Sequence, residues 1–62
     1  MKKYDWGCIK LGEDNKYFVM NKDNEAVGSI WYDFTLTSYV LEDCVPLTAK
    51  ELRDIAAFME AL

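Results

Sequence analysis

The chain has 62 residues, of which 52% are hydrophobic, 15% aromatic and 29% charged. That composition fits one small domain and excludes both a two-domain enzyme and a disordered tail. Eleven acidic against seven basic residues give a net charge of -4, the wrong sign for a protein held on nucleic-acid phosphates or an anionic membrane, so the expected partners are proteins, basic ones in particular. No histidine is present, which removes the commonest general base, proton shuttle and neutral metal ligand.

The N-terminal Met1-Lys2-Lys3 is basic, but Tyr4-Asp5-Trp6-Gly7 follows where a signal peptide needs an apolar core. No apolar run approaches the ~20 residues of a membrane span, so a soluble cytoplasmic protein is expected. The stretch from Tyr4 to Leu11 alternates imperfectly and stops at Gly12-Glu13-Asp14-Asn15, which predicts a strand and a turn. Tyr17 to Asn21 predicts a second strand, closed by Lys22-Asp23-Asn24-Glu25, whose side chains favour turns. Val27 to Asp33 is a third strand. After a break near Asp33 to Thr35, Leu36 to Leu41 is either a fourth strand or the end of one long bent strand. Every connector is too short for a parallel crossover, so the strands, all within residues 4–42, form a three- or four-stranded antiparallel meander.

Beyond Pro46 the period changes. Thr48-Ala49-Lys50-Glu51 matches a capping box, and Leu47 and Leu52 hold the two positions of a hydrophobic staple, which starts a helix over 48–62. Leu52, Ile55, Ala56, Met59 and Leu62 recur at helical spacing and should lie on the sheet, with Phe58 at the edge of that stripe. The whole chain is one α+β domain: a meander packed on one C-terminal α-helix.

One helix covers one sheet face, yet both parities of the strands carry large side chains: Phe18, Met20, Ile30 and Tyr32 on one, Tyr17, Val19, Trp31, Tyr39 and Leu41 on the other. An uncovered aromatic face is expected to be a contact surface, with Trp31, Tyr39 and Tyr17 as anchors. In an up-and-down meander Asp23, Glu25, Glu42 and Asp43, together with Asp5, fall toward one end with Lys2, Lys3 and Lys22 among them, while Glu13, Asp14 and Asp33 gather at the other. Carboxylates spaced in that way can imitate phosphates and enter a basic groove.

Catalytic chemistry has little support. Cys8 and Cys44, the only cysteines, lack a neighbouring base and are expected to stay reduced. Asn21-Lys22-Asp23-Asn24-Glu25 is spaced like the start of a calcium loop, but Ala26 and Tyr32 stand where the glycine and the twelfth-position acid belong. The glycines make no phosphate-binding fingerprint, and the acidic balance opposes direct nucleic-acid binding despite Tyr17-Phe18 and Trp31-Tyr32. No enzyme activity, metal or cofactor is expected.

The run Ala26-Val27-Gly28-Ser29-Ile30-Trp31-Tyr32-Asp33, followed by Leu47-Thr48-Ala49-Lys50-Glu51-Leu52-Arg53-Asp54-Ile55, resembles the short single-domain proteins of bacteriophage accessory genes, among them anti-CRISPR proteins and other inhibitors of host defence. The resemblance is one of style and size, without a diagnostic motif, so no site residue transfers from it. It implies a non-enzymatic inhibitor in the host cytoplasm that blocks a bacterial defence or nucleic-acid-processing protein by contact. Two alternatives stand beside it: a homo-oligomer that sequesters a small signalling nucleotide, and a small regulatory subunit of a larger assembly. A homodimer is compatible with the first reading as well.

Overall fold

The computed structural model describes all residues, Met1 to Leu62. Five strands, β1 (Lys2–Tyr4), β2 (Gly7–Leu11), β3 (Tyr17–Asn21), β4 (Ala26–Asp33) and β5 (Ser38–Glu42), lie in the order β1-β2-β3-β4-β5, every pair antiparallel. A short 3-10 turn (Glu13–Asn15) joins β2 to β3, and helix α1 (Ala49–Glu60) closes the chain. The α+β meander with a C-terminal helix is as expected; the strand number is not.

The extra strand comes from the N-terminus. The stretch from Tyr4 to Leu11, expected as one strand, holds the end of β1, a hairpin turn at Asp5-Trp6 and then β2, with Tyr4 opposite Gly7. A side chain at residue 7 has no room, because a Cβ there would run into the Met20 carbonyl. Glycine lets β2 leave the turn pressed against β3. At the other end of the sheet the long bent strand is excluded. Asp33 Oδ1 accepts from the N–H groups of Thr35 and Leu36 at 2.8 and 3.2 Å, and Thr37 takes φ 50°, so the chain reverses before β5.

Residues opposite one another in an antiparallel pair share a face. The ladder therefore puts Ile9, Val19, Gly28, Tyr17, Ile30, Leu41, Tyr32 and Tyr39 on one side, and Cys8, Lys10, Phe18, Met20, Ser29, Trp31 and Val40 on the other. Helix α1 covers the first side. Ile9, Val19 and Ile30 meet Ile55 there in a core of four side chains that are 0–1% exposed. The Tyr17 and Phe58 rings meet edge to face with centroids 5.3 Å apart.

The helix begins where the capping box places it. The Glu51 N–H donates to Thr48 Oγ1 at 3.2 Å, and the Thr48 N–H donates to Glu51 Oε1 at 2.7 Å. Its buried stripe differs from the expected one. Ile55, Phe58 and Met59 pack on the sheet beside Leu47, whereas Leu52 is 45% exposed and Ala56 and Leu62 stay exposed along the groove between α1 and strands β4 and β5. A 12-residue helix is about 10 Å wide, and a five-stranded sheet spans about 19 Å between its edge strands. One helix covers the middle of such a sheet and leaves both edges to side chains.

Candidate interaction surface

The outer face, opposite α1, has no second layer, yet its centre is apolar. Met20 is 8% exposed, and Phe18, Trp31 and Val40 are half-buried. Phe18 lies over Gly12, where a Cβ would strike its ring. Trp31 pairs with Val40 and lines a concavity with Asp14, Asn15, Lys16, Tyr32, Phe34 and Tyr39. Ser29 and Cys8 fill the middle of this face, and Lys3, Lys10 and Glu42 stand around it.

The three aromatic residues expected to act together do not share this face. Trp31 belongs to it; Tyr17 and Tyr39 are on the helix side, although Tyr39 also lines the concavity at Trp31. Tyr17 packs on Phe58, and Tyr39 meets Tyr32 edge to face at 5.2 Å. The parity groups drawn from the sequence mixed the two faces for one reason: the sequence does not show register, and each turn resets the parity of the next strand. Val40, its partner across the β4–β5 ladder, and Phe18, diagonal to it on β3, are the neighbours of Trp31 on this face.

The carboxylates, in contrast, assemble as expected. The turns after β1, β3 and β5 bring Asp5, Asp23, Glu25, Glu42 and Asp43 to one end of the sheet, all exposed. The β3–β4 turn is held by Asn21, whose Oδ1 accepts from the N–H groups of Asp23 and Glu25 at 2.9 Å and whose Nδ2 donates to Glu25 Oε1 at 3.0 Å. Asn24 and Asp43 take φ 61° and 53°, conformations that Asn and Asp tolerate better than most residues. Both salt bridges of the fold use Lys50, to Asp5 and to Asp54 at 3.3 Å each. Asp23, Glu25, Glu42 and Asp43 therefore make no salt bridge, and Lys22 is the cation nearest them in sequence, in the same β3–β4 turn.

Sequence reasoning missed a polar cluster at the same end. The indole N–H of Trp6 donates to Asp54 Oδ2 at 2.8 Å, and the Trp6 ring stacks on Tyr4, centroids 4.7 Å apart and 6° from parallel. The Trp6 bond, helped by the Lys50 ammonium, holds the Asp54 carboxyl below its ordinary value. Burial pushes the Tyr4 hydroxyl up, and the Asp54 charge adds to that. Hydrogen bonds to Asp5 and then Asp54 hold Lys50 above the ordinary lysine value. These groups are a structural clamp, since each finds its partner inside the cluster.

No group of three or more acidic or cysteine side chains is placed to hold a metal ion. Cys8 and Cys44 are free thiols, half-buried and exposed respectively. The largest groove, between α1 and strands β4 and β5, is lined by Tyr32, Tyr39, Ala56, Met59 and Leu62, with Glu60 the one charged side chain on its wall. No helix is long and apolar enough to cross a membrane. No protein-family model, curated protein or solved structure matches the chain.

Proposed function

We propose that this chain is a non-enzymatic binding protein that occupies a surface of a partner protein, with the outer sheet face around Trp31, Phe18 and Val40 as the contact and the acidic end as the steering element. The observation that carries this reading is an apolar sheet face without a second layer, bordered by carboxylates that make no salt bridge. Apolar patches of this kind mark interaction sites, and tryptophan is among the commonest anchors. A standard interface takes ~800 Å² from each partner, a large share of a total surface of 4418 Å².

The acidic end suits a partner with a basic groove. A phage-type inhibitor of a bacterial defence or nucleic-acid-processing protein is the class with that requirement, because its targets grip phosphates with lysine and arginine. The nucleotide-sequestering alternative is less well served by the largest groove, which carries Glu60 and no cation to meet a phosphate.

The test is affinity capture on the immobilised chain from bacterial lysate, identification of the retained protein, and competition by nucleic acid. The reading expects a nucleic-acid-binding protein whose capture is reduced by its own nucleic acid. A retained protein that still binds nucleic acid freely while bound would contradict the groove-blocking mechanism.

A further inference from the structure

The two edges of the sheet are built differently. β1 is three residues long and carries Lys2 and Lys3, both exposed. Short edge strands and lysines are the ordinary protection against pairing with another chain. β5 has five residues, Ser38-Tyr39-Val40-Leu41-Glu42, in unbroken register with β4, and neither lysine, proline nor bulge interrupts it. Its hydrogen bonds all go to β4, so its outer backbone groups are unpaired.

The segments flanking β5 are also apolar and exposed. Phe34 is 84% and Leu36 63% exposed in the turn before it, and Val45 is 47% exposed just after it. The chain bends at Asp43, which takes φ 53°, and returns beside the sheet at Val45, whose N–H donates to the Val27 carbonyl at 3.0 Å. Apolar residues thus stand on both sides of Val40 at similar distances along the chain.

We propose that β5 pairs with β5 of a second copy, antiparallel and centred on Val40, to give a two-fold dimer with one continuous ten-stranded sheet. In that register Tyr39 faces Leu41 of the second copy on the helix side, at the rim of the groove between α1 and β5. Phe34 and Leu36 come alongside Val45 of the second copy. Charge agrees with this choice: Glu42 meets Ser38 and Asp43 meets Thr37, so no carboxylate faces another. Centring on Leu41 instead would set Val40 against Glu42 and Tyr39 against Asp43, burying four carboxylates against apolar side chains. A specific interface needs roughly 600 Å² from each copy, and the strand edge with exposed Phe34, Leu36 and Val45 is the apolar surface that can contribute it. Each copy carries -4, so repulsion opposes association and added salt should tighten it. This inference does not depend on the outer-face reading; the dimer would present two such faces on one side of the sheet.

The experiment is sedimentation equilibrium of the full chain from about 1 to about 500 μM, at low and high salt. The expected result is a dimer of twice 7.2 kDa with a micromolar Kd that falls as salt rises. The double variant Phe34→Asp/Leu36→Asp should raise that Kd at least tenfold. In a Cys8→Ser/Cys44→Ser background, Val40→Cys should form a disulfide-linked dimer much faster than Lys3→Cys on the guarded edge. A monomer at the highest concentration, an unchanged Kd for the folded double variant, or equal crosslinking at both edges would overturn the proposal. Should the double variant lose its circular-dichroism signal, the Val40→Cys and Lys3→Cys comparison decides.

Discussion

Trp6 and Asp54 are 48 positions apart in the chain and 2.8 Å apart in space, joined by an indole hydrogen bond that ties the β1–β2 turn to the second turn of helix α1. The clamp fixes which side of α1 faces the sheet and keeps the short β1 hairpin attached. Asp54→Ala should lower the denaturation midpoint, because it leaves the half-buried indole donor of Trp6 without an acceptor. Asp54→Asn keeps an acceptor and should cost less. Chemical denaturation of the two variants checks the order.

The same cluster sets a pH profile. Asp54 titrates below its ordinary value of 3.8, so its contribution is present above the unfolded carboxylate value and is lost as pH falls through the lower folded one. Lys50 is shifted upward from 10.5, so its contribution is present below that value and is lost as pH rises through the higher folded one. Stability should be flat between these limits. Urea midpoints against pH should show a shallower acid limb in Asp54→Asn than in the wild type.

Thr48→Ala removes one half of the capping box and should cost on the order of 1 kcal/mol, a sizeable part of the stability of a domain with a four-residue core. The midpoint of thermal or urea unfolding measures it. No change would mean that the helix does not begin at Ala49.

Thr37 is a β-branched residue at φ 50°, a conformation unfavourable for such side chains. Its hydroxyl donates to the Leu36 carbonyl, which a glycine would forgo. The strain outweighs that exposed bond, so Thr37→Gly should stabilise the protein by about 0.5 kcal/mol. A lower melting temperature in the variant would contradict the assigned turn.

The legible parts of this fold were those with local signals. The capping box at Thr48 and Glu51, the turn chemistry of Lys22 to Glu25 and the short connectors announced the helix and the meander, and with them the grouping of Asp23, Glu25, Glu42 and Asp43. What stayed hidden depends on distant partners. The phase of α1 is set by the ring of Tyr17 receiving Phe58 and by Trp6 receiving Asp54, and a polar residue at position 54 reads as solvent-facing in any hydrophobic pattern. The first hairpin was concealed because Asp5-Trp6 is weak turn chemistry; what requires Gly7 is the backbone of β3. The exposed Phe34 and Leu36 carried a signal that went unused, since a turn between two strands seldom holds such large apolar side chains without a reason.

Steering by the acidic end has its own test. Replacing Asp23, Glu25, Glu42 and Asp43 together by Asn and Gln should slow association with the captured partner and flatten its dependence on salt, while dissociation changes little. Equal association rates and equal salt slopes would leave these carboxylates as a solvated rim.

The outer face itself is probed most directly by Ser29→Arg. Ser29 lies in the middle of that face, between Phe18 on β3 and Glu42 on β5, and its replacement leaves the four core side chains untouched. The measurement is the Kd of the retained partner for the wild type, Ser29→Arg and Leu52→Arg, the last on the solvent side of α1. The account predicts at least a tenfold loss for Ser29→Arg, about 1.4 kcal/mol, and no change for Leu52→Arg. Equal affinity for the wild type and Ser29→Arg would contradict it.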